Sequence, residues 1–329
     1  MSKIHNPHDK FFTLTFDKPE VGKDFLRNEL PEKIARLVDF SSIELTKDSF
    51  IDKNMNKYYS DKLFKAKLKN GKHVLFYALI EHKSYPEKFV DFQVLKYEVR
   101  IWETIFNEHE AKKEEARKLR EQGDDAPDVP PLEYLPPIIP IVLYHGASEW
   151  KIPLNFRSKF PDDLPVQFNE FIPDFKYILC DLSDEIHKTF KGAVTYQIAM
   201  LLLKHIFDPE ILENLPKAYC LLQLIENKQA ALELLESMTE YVTSGSEKVT
   251  EEDANKLIET YASEIKGGGG DIMPTLAEKW FSQGEENGKK EGKIEVAINL
   301  IKEGLDFDLI LKATGLPRNE LLPLTIKSF

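Results

Sequence analysis

The sequence predicts an α/β protein in which helices flank a central β-sheet, and three features of the chain support this class. Residues 57–69 alternate between polar and apolar side chains and are followed by the turn pair Asn70-Gly71. The next residues, 74–80, form an unbroken apolar run that is typical of a strand buried on both faces. Apolar residues at three- and four-residue spacings over 89–105, and the helical character of 185–265, supply the helices.

The chain before this hairpin is predicted to be mostly helical. Residues 8–16 and 21–30 have amphipathic patterns, Pro31 ends the second helix, and a third helix is expected over 32–38. Partial alternation over 41–52 predicts the first strand of the sheet.

After the central helix the chain changes character and then returns to strand patterns. Residues 107–133 are charged, poor in apolar side chains and end in prolines, which predicts a solvated helical extension and then a loop. Further strands are expected over the short apolar stretches 135–144 and 176–182.

Four consecutive glycines at 267–270 predict a flexible joint, because a glycine run offers no side chains to pack. We therefore expect one domain over 1–265, of which 185–265 is a helical subregion, then a glycine linker at 266–270. Residues 271–329 are expected to form a small helical extension at the C-terminal end.

The composition excludes several classes of protein. A formal net charge of −12 and a pI near 5.3 argue against a surface covered with basic residues for nucleic acid. The first residues lack a signal-peptide pattern and no apolar run approaches the roughly 18 residues of a membrane span, so no membrane association is expected. Cys180 and Cys220 lie in apolar segments and are expected to be buried thiols, which suits the cytoplasm.

The hairpin carries the residues with the clearest chemistry. Glu81 and Lys83 are two positions apart and share one face of the predicted strand, while Asp61 lies at the start of the neighbouring strand. An acid followed by Glu-x-Lys across a hairpin is the minimal pattern of a PD-(D/E)XK nuclease, whose restriction-endonuclease-like core is a mixed central sheet flanked by helices. Two carboxylates are suitable ligands for Mg²⁺, and a lysine can orient or activate water and stabilise developing negative charge.

Strand register decides whether Asp61 and Glu81 share a face. With a two-residue turn at Asn70-Gly71, the numbers of paired residues add up to 141, which places Asp61 opposite Ile80. A three-residue turn with a glycine bulge raises this value to 142 and places Asp61 opposite Glu81. The active-site hypothesis therefore predicts a bulge or a longer turn.

The hairpin also reverses the sign of the charge. Between Lys57 and Lys83 there are seven lysines but only two acids, within a chain of net charge −12. This local excess favours a surface that faces the phosphates of double-stranded DNA. The alternative is an edge strand that lysines protect from further pairing. The candidate phosphate contacts are Lys62, Lys65, Lys67 and His82.

Several segments resemble one known family. They are HNPHDKFFTLTF at 5–16, FLRNELP at 25–31, YYSDKLFKAKL at 58–68, LIEHKS at 79–84, FQVLKYEVRIWE at 92–103 and PIVLYHG at 140–146, with GEENGKKEGK at 284–293 and EGLDFDLILKATGL at 303–316. These segments are similar to those of the Rpn family of recombination-promoting nucleases, also described as transposases. The resemblance covers the N-terminal half well and the C-terminal extension fairly, whereas the middle matches mainly in helical character.

The resemblance implies roles for individual residues. Asp61 and Glu81 match the metal-binding acids, and Lys83 matches the third signature position, where many relatives have glutamine. Gln93 lies on the following helix, where nucleases of this fold often direct a polar residue to the site. Asp9, in the N-terminal His-Asp pair, either adds a carboxylate or caps the first helix.

The resemblance implies a Mg²⁺-dependent DNA endonuclease, with Mn²⁺ or Ca²⁺ as alternative cofactors and a role in DNA recombination or mobile elements. The alternative is a catalytically inactive DNA- or partner-binding protein on a nuclease-like fold. A third hypothesis, a sequence-specific regulator acting through the C-terminal extension, is disfavoured by its acids, since a recognition helix needs basic residues. We expect that extension to mediate protein contact, such as a homodimer formed through the Gly-x-x-x-Gly helix at 284–292.

Overall fold

A computed structural model describes residues 6–46, 62–69, 75–183, 189–262, 292–294, 296–301 and 305–318. The chain divides into two compact units, Asn6–Leu257 and a second composed of Met1–His5 with Ile258–Phe329. The glycine linker expected at 266–270 lies outside the described residues, so the domain division above stays a prediction.

The larger unit is built on a mixed five-stranded sheet. Its strands are β1 (Val38–Leu45), β2 (Lys62–Leu68), β3 (Leu75–Lys83), β4 (Ile138–Tyr144) and β5 (Ile178–Asp181), in the spatial order β1-β2-β3-β4-β5. The first three strands pair antiparallel, and β3, β4 and β5 pair parallel. The predicted α/β class is confirmed, and β3 is the middle strand of the sheet.

The described residues up to 262 also form eight α-helices. They are α1 (Pro7–Phe16), α2 (Pro19–Glu29), α3 (Glu32–Ala35), α4 (Val90–Gln122), α5 (Val194–His205), α6 (Ile211–Leu221), α7 (Lys228–Gly245) and α8 (Glu251–Ala262). The long helix α4 makes the crossover between the parallel strands β3 and β4 and ends at Gly123, whose φ of 81° favours glycine. Its length agrees with the predicted helix and solvated extension.

Different helices pack against the two faces of the sheet. On one face, the ring of Phe12 in α1 stacks on His82, and α2 approaches β2 so closely that Gly22 lies directly against the ring of Phe64. On the other face, Val90 at the start of α4 packs in a cluster with Val142 and Tyr144 of β4. Successive residues of β3 therefore point into different environments.

Two strand boundaries differ from prediction. β1 covers Val38–Leu45, whereas alternation predicted 41–52, of which 47–52 lie outside the described residues. β3 continues past the apolar run to Lys83, because β4 pairs with it in parallel as far as the partners Lys83 and Tyr144. The polar residues Glu81–Lys83, which follow the apolar run, therefore belong to β3.

The cysteine prediction is half correct. Cys180 is buried, but Cys220 is exposed. The buried face of α6 includes Ala218 and Tyr219, and the helical rotation of about 100° per residue turns Cys220 away from it.

The second unit contains a small helical cluster. Residues 292–294 and 296–301 are helical, and α9 (Phe307–Thr314) begins at Asp306, whose carboxylate accepts hydrogen bonds from two backbone N–H groups. α9 ends at Gly315, whose φ of 65° favours glycine. The cluster packs around Ala297, Ile310 and Leu316. None of the helices in the described part of the chain is long and apolar enough to cross a membrane.

Candidate active site at the end of the third strand

Two charged side chains are buried at the C-terminal end of β3. Glu81 is 2 % exposed and Lys83 is 9 % exposed. They point to the same face of the sheet, because side chains alternate along a strand. Burial of an unpaired charge is costly, so such residues are usually paired and hydrogen-bonded. Here the Lys83 Nζ atom lies 2.9 Å from Glu81 Oε1.

Gln93 in the first turn of α4 completes this pair. Its amide Nε2 donates to Glu81 Oε1 at 2.8 Å and to the Tyr97 hydroxyl at 3.1 Å, while its Oε1 accepts from Lys83 Nζ at 2.9 Å. Because lysine only donates and carboxylate only accepts, these two partners fix the orientation of the amide. The structure thus brings together Glu81, Lys83 and Gln93 as the sequence suggested.

Glu87 is a further partner of Lys83. Its Oε2 atom accepts from Lys83 Nζ at 2.6 Å. Burial alone would lower the pKa of Lys83, but the charge of Glu81 and the hydrogen bonds to Glu87 and Glu81 raise it above its ordinary value. Lys83 therefore remains a cation and is unsuited to act as a general base.

The second oxygen of Glu81 has different surroundings. Oε1 accepts a hydrogen bond from Gln93 and forms the ion pair with Lys83, whereas Oε2 is buried and accepts no hydrogen bond from any residue that the structure describes. A buried carboxylate oxygen normally has a partner. A cation ligated at Oε2 would satisfy this atom, so the residues present fit a hard metal ion at this position.

The register of the hairpin agrees with the active-site hypothesis. Lys62 pairs with Ile80 and Lys67 with Leu75, so the numbers of paired residues add up to 142. This is the register that the hypothesis predicted, and that prediction is confirmed. Asp61 and the turn residues 70–74 lie outside the described residues, so the role of Asp61 stays a prediction.

Three of the predicted site residues lie on the opposite side of the sheet from Glu81, on α1, β2 and β3. His82 is buried between the rings of Phe12 and His145, at centroid distances of 4.7 Å from each, and its Nδ1 lies 3.3 Å from Asp9 Oδ1. Lys62 is buried with its Nζ 2.5 Å from Asp17 Oδ1. The structure therefore does not bring Asp9, His82 or Lys62 to Glu81, and the burial of His82 and Lys62 is incompatible with the predicted phosphate contacts.

A stack of three histidines occupies that opposite face. The His145 ring centroid is 4.7 Å from that of His82 and 5.2 Å from that of His8. Burial, followed by the proximity of His82, lowers the pKa of His8 to about 4 and that of His145 well below its ordinary value. The rings of His8 and His145 are therefore neutral at neutral pH and contribute packing.

The other two candidate phosphate contacts lie on the Glu81 side of the hairpin. Lys65 is partly exposed and forms an ion pair with Glu44 at 3.2 Å, and Lys67 is exposed. Lys65 pairs with Tyr77, four residues before Glu81, which corresponds to about 13 Å along the strand.

An ion pair anchors the start of α4 two residues before Gln93. Asp91 is fully buried, its Oδ2 lies 3.2 Å from Lys159 Nζ, and its Oδ1 accepts from the Phe92 backbone N–H. Burial raises the pKa of Asp91, and the charge of Lys159 opposes this effect. This ion pair therefore joins the first turn of α4 to the short 3-10 helix Phe156–Lys159.

Sequence reasoning missed two members of the network. Tyr97 lies four residues after Gln93, so helical periodicity could have placed it on the same side of α4. Glu87 lies in the loop between β3 and α4, where no periodicity applies. Among the residues that the structure describes, no group of three or more His, Cys, Asp or Glu side chains could hold a metal ion.

Comparison with known proteins identifies the family of the chain. The family model described as "Putative transposase, YhgA-like" matches residues 6–233, which include the whole sheet and the site. The chain belongs to this family.

Relatives of the YhgA-like chain confirm the resemblance to recombination-promoting nucleases. In Escherichia coli (strain K12), "Inactive recombination-promoting nuclease-like protein RpnE" is 25 % identical over 326 residues and "Recombination-promoting nuclease RpnA" is 24 % identical over 326 residues, with 96 % of each chain covered in both cases. "Recombination-promoting nuclease RpnC" is 25 % identical over 142 residues, covering 43 % of this chain and 40 % of its own. No solved structure matches the YhgA-like chain.

Proposed function

We propose that this protein is a metal-dependent DNA endonuclease with a PD-(D/E)XK core, whose site is Glu81, Lys83 and Gln93 together with Asp61. The observation that carries the proposal is the state of Glu81. One of its oxygens is held by Lys83 and Gln93, and the other is buried without a hydrogen bond from any described residue. The names of the relatives and the mixed sheet support the same class of protein.

Glu81 and Asp61 are the residues that would hold Mg²⁺, with Mn²⁺ or Ca²⁺ as substitutes. When bound, Mg²⁺ would offset charge on the scissile phosphate and favour the ionisation of a water molecule. Hard oxygen donors such as carboxylates are the ligands that these ions prefer.

Lys83 and Gln93 have separate roles in this proposal. The ammonium group of Lys83 presents a fixed positive charge where the phosphate oxygens become more negative, and its two carboxylate neighbours keep it protonated. Gln93 orients both Glu81 and Lys83 through opposite ends of one amide, so it is a positioning residue. A fixed arrangement of this kind requires little reorganisation during the reaction.

Lys65 and Lys67 are proposed to contact the DNA backbone. Both lie on the Glu81 side of the hairpin, and phosphate contacts by lysine supply affinity without sequence preference. His82 and Lys62 are left out because both are buried on the other face. Removal of Lys67 is therefore expected to weaken binding to all duplex sequences alike.

The experiment is nicking of supercoiled plasmid by the full chain with and without Mg²⁺. We expect Mg²⁺-dependent nicking by the wild type and loss of activity in Asp61→Ala and Glu81→Ala. Equal activity of the three proteins would overturn the assignment.

A second function is favoured by the name of one relative, which describes an inactive nuclease-like protein. In that case the fold would bind DNA or a partner without cleavage. Duplex binding by a wild-type chain that nicks no plasmid in Mg²⁺, Mn²⁺ or Ca²⁺ would favour this function over the first.

A further inference from the structure

Helix α4 exposes a regular apolar stripe to solvent. Phe92, Val99 and Phe106 are 51 %, 43 % and 53 % exposed, and they follow one another at intervals of seven residues. A seven-residue interval keeps side chains on nearly the same side of a helix. The buried residues of the same helix, such as Val94 and Ile101, lie on the opposite side. The apolar stripe, Phe92-Val99-Phe106, is therefore a helix face that the sheet does not cover.

Further exposed apolar side chains lie in the segment that is hydrogen-bonded to α4. Tyr134 and Leu135 are exposed and immediately precede Pro136, whose carbonyl accepts a hydrogen bond from Trp102 Nε1 on α4. Together with the stripe these are five side chains, each between 43 % and 82 % exposed, that present on the order of 500 Å² of surface. A standard protein interface buries about 800 Å² per partner, so this surface would be the apolar centre of a modest interface.

The order of residues along the stripe is symmetric. Val99 is the midpoint, with a phenylalanine seven residues before it and another seven residues after it. A two-fold axis through Val99 would place Phe92 of one copy against Phe106 of the other when the helices run antiparallel. A closed two-fold contact requires such a self-complementary patch.

The charges beside the stripe fit the same symmetry. Lys96 and Glu103 lie on one side of the stripe and form no ion pair with any residue that the structure describes, whereas further along the helix Arg117 pairs with Glu114 and Glu121. Seven residues span about 10 Å along a helix, too far for Lys96 to reach Glu103 of its own chain. In the antiparallel pair, Lys96 of each copy faces Glu103 of the other. In a parallel two-fold pair, Lys96 and Glu103 of the two copies would lie on opposite edges of the interface and could not meet.

We propose that α4 is the interface of a homodimer, in which the stripes of two copies pack antiparallel about Val99. The occupant is a second copy of this chain, since both the apolar order and the charges are self-complementary. This inference does not depend on nuclease activity, and it uses a surface other than the Gly-x-x-x-Gly segment expected to associate from the sequence.

Cross-linking tests the two-fold axis directly. The full chain with Cys220→Ser and Val99→Cys should form an intermolecular disulfide under mild oxidation, because the axis places position 99 of each copy opposite its equivalent. The matched control is Cys220→Ser with Lys112→Cys, an exposed position roughly 20 Å further along the helix, which should not cross-link. Failure of the first protein to cross-link, or equal cross-linking of both, would overturn the proposal.

Analytical ultracentrifugation of the full chain tests the proposed pairing of Lys96 with Glu103 between the two copies. Wild type should show a concentration-dependent monomer–dimer equilibrium, and Lys96→Glu should raise the dimer Kd by about tenfold, because like charges then face each other. The double variant Lys96→Glu/Glu103→Lys should restore the wild-type Kd, and Lys112→Glu should leave it unchanged. A wild type that stays monomeric, or a double variant as weak as the single one, would contradict the interface.

Discussion

The two oxygens of Glu81 differ in what surrounds them. Oε1 forms an ion pair with Lys83 and accepts a hydrogen bond from Gln93, which neutralise and orient the carboxylate, whereas Oε2 is buried without a hydrogen bond from the described residues. Removing one member of a buried ion pair usually costs more stability than removing both, because one charge is left without a partner. Glu81 and Lys83 should therefore be strongly coupled.

This coupling predicts a non-additive effect on stability. Without divalent cations, Lys83→Met should lower the free energy of unfolding by about 3 kcal/mol, because Glu81 stays buried with its counterion removed. The double variant Glu81→Gln/Lys83→Met should lose less than Lys83→Met alone. Urea-induced unfolding measures both values, and a double variant whose loss equals the sum of the single losses would count against a coupled pair.

Glu98 is a buried carboxyl group on α4 outside the ion-pair network. Burial raises its pKa from 4.5 to about 7. The folded state therefore binds this proton more tightly than the unfolded state, so the contribution of Glu98 to stability falls as the pH rises from 4.5 through 7.

Glu98→Gln replaces the neutral acid with a group of similar shape that does not ionise. We expect the variant to be more stable than wild type by about 2 kcal/mol at pH 8, with a much smaller difference at pH 5. Thermal unfolding at the two pH values gives the comparison. The same Tm difference at both pH values would show that Glu98 does not titrate in this range.

At the scale of elements, local patterns predicted most of the sheet and helices. The apolar run ending at Ile80 and the hairpin predicted β2 and β3, and the register followed once Asp61 and Glu81 were required to share a face. The polar end of β3 escaped prediction because its pairing partner, β4, lies more than fifty residues later. Long-range pairing of this kind leaves no local pattern.

Side-chain direction explains which of the candidate site residues lie next to one another. Glu81 and Lys83 alternate with His82, so once β3 extends to Lys83, His82 must point to the helical side where Phe12 lies. The lysine-rich character of the hairpin could not separate Lys62 from Lys65, which lie on opposite faces. A count of charged residues describes the segment as a whole, whereas the contacts of each side chain depend on which face of the strand it occupies.

The contact between α2 and β2 predicts the effect of a small substitution. Gly22→Ala would place a Cβ atom 2.0 Å from Phe64 Cζ, so we expect a loss of about 2 kcal/mol although alanine usually favours a helix. Gly22→Ala combined with Phe64→Leu should lose less than the two single variants together. Urea-induced unfolding measures these values, and a stabilising Gly22→Ala would show that α2 does not lie this close to Phe64.

At the scale of the whole molecule, the net charge of −12 is an average over unlike surfaces. The Glu81 side of the hairpin carries Lys65 and Lys67, while the other face is closed by α1, α2 and the histidine stack. One face of the sheet thus supplies packing and the other supplies charged groups near Glu81. This division agrees with membership of a family whose relatives are named nucleases.

The most direct measurement is the cation dependence of plasmid nicking by the full chain and its Glu81→Gln variant. We expect nicking that requires Mg²⁺ or Mn²⁺, a variant slower by about 100-fold or more with an unchanged circular dichroism spectrum, and wild-type rates in the exposed control Lys112→Gln. Equal nicking rates for Glu81→Gln and wild type, or nicking that continues in EDTA, would contradict a metal-dependent site at Glu81.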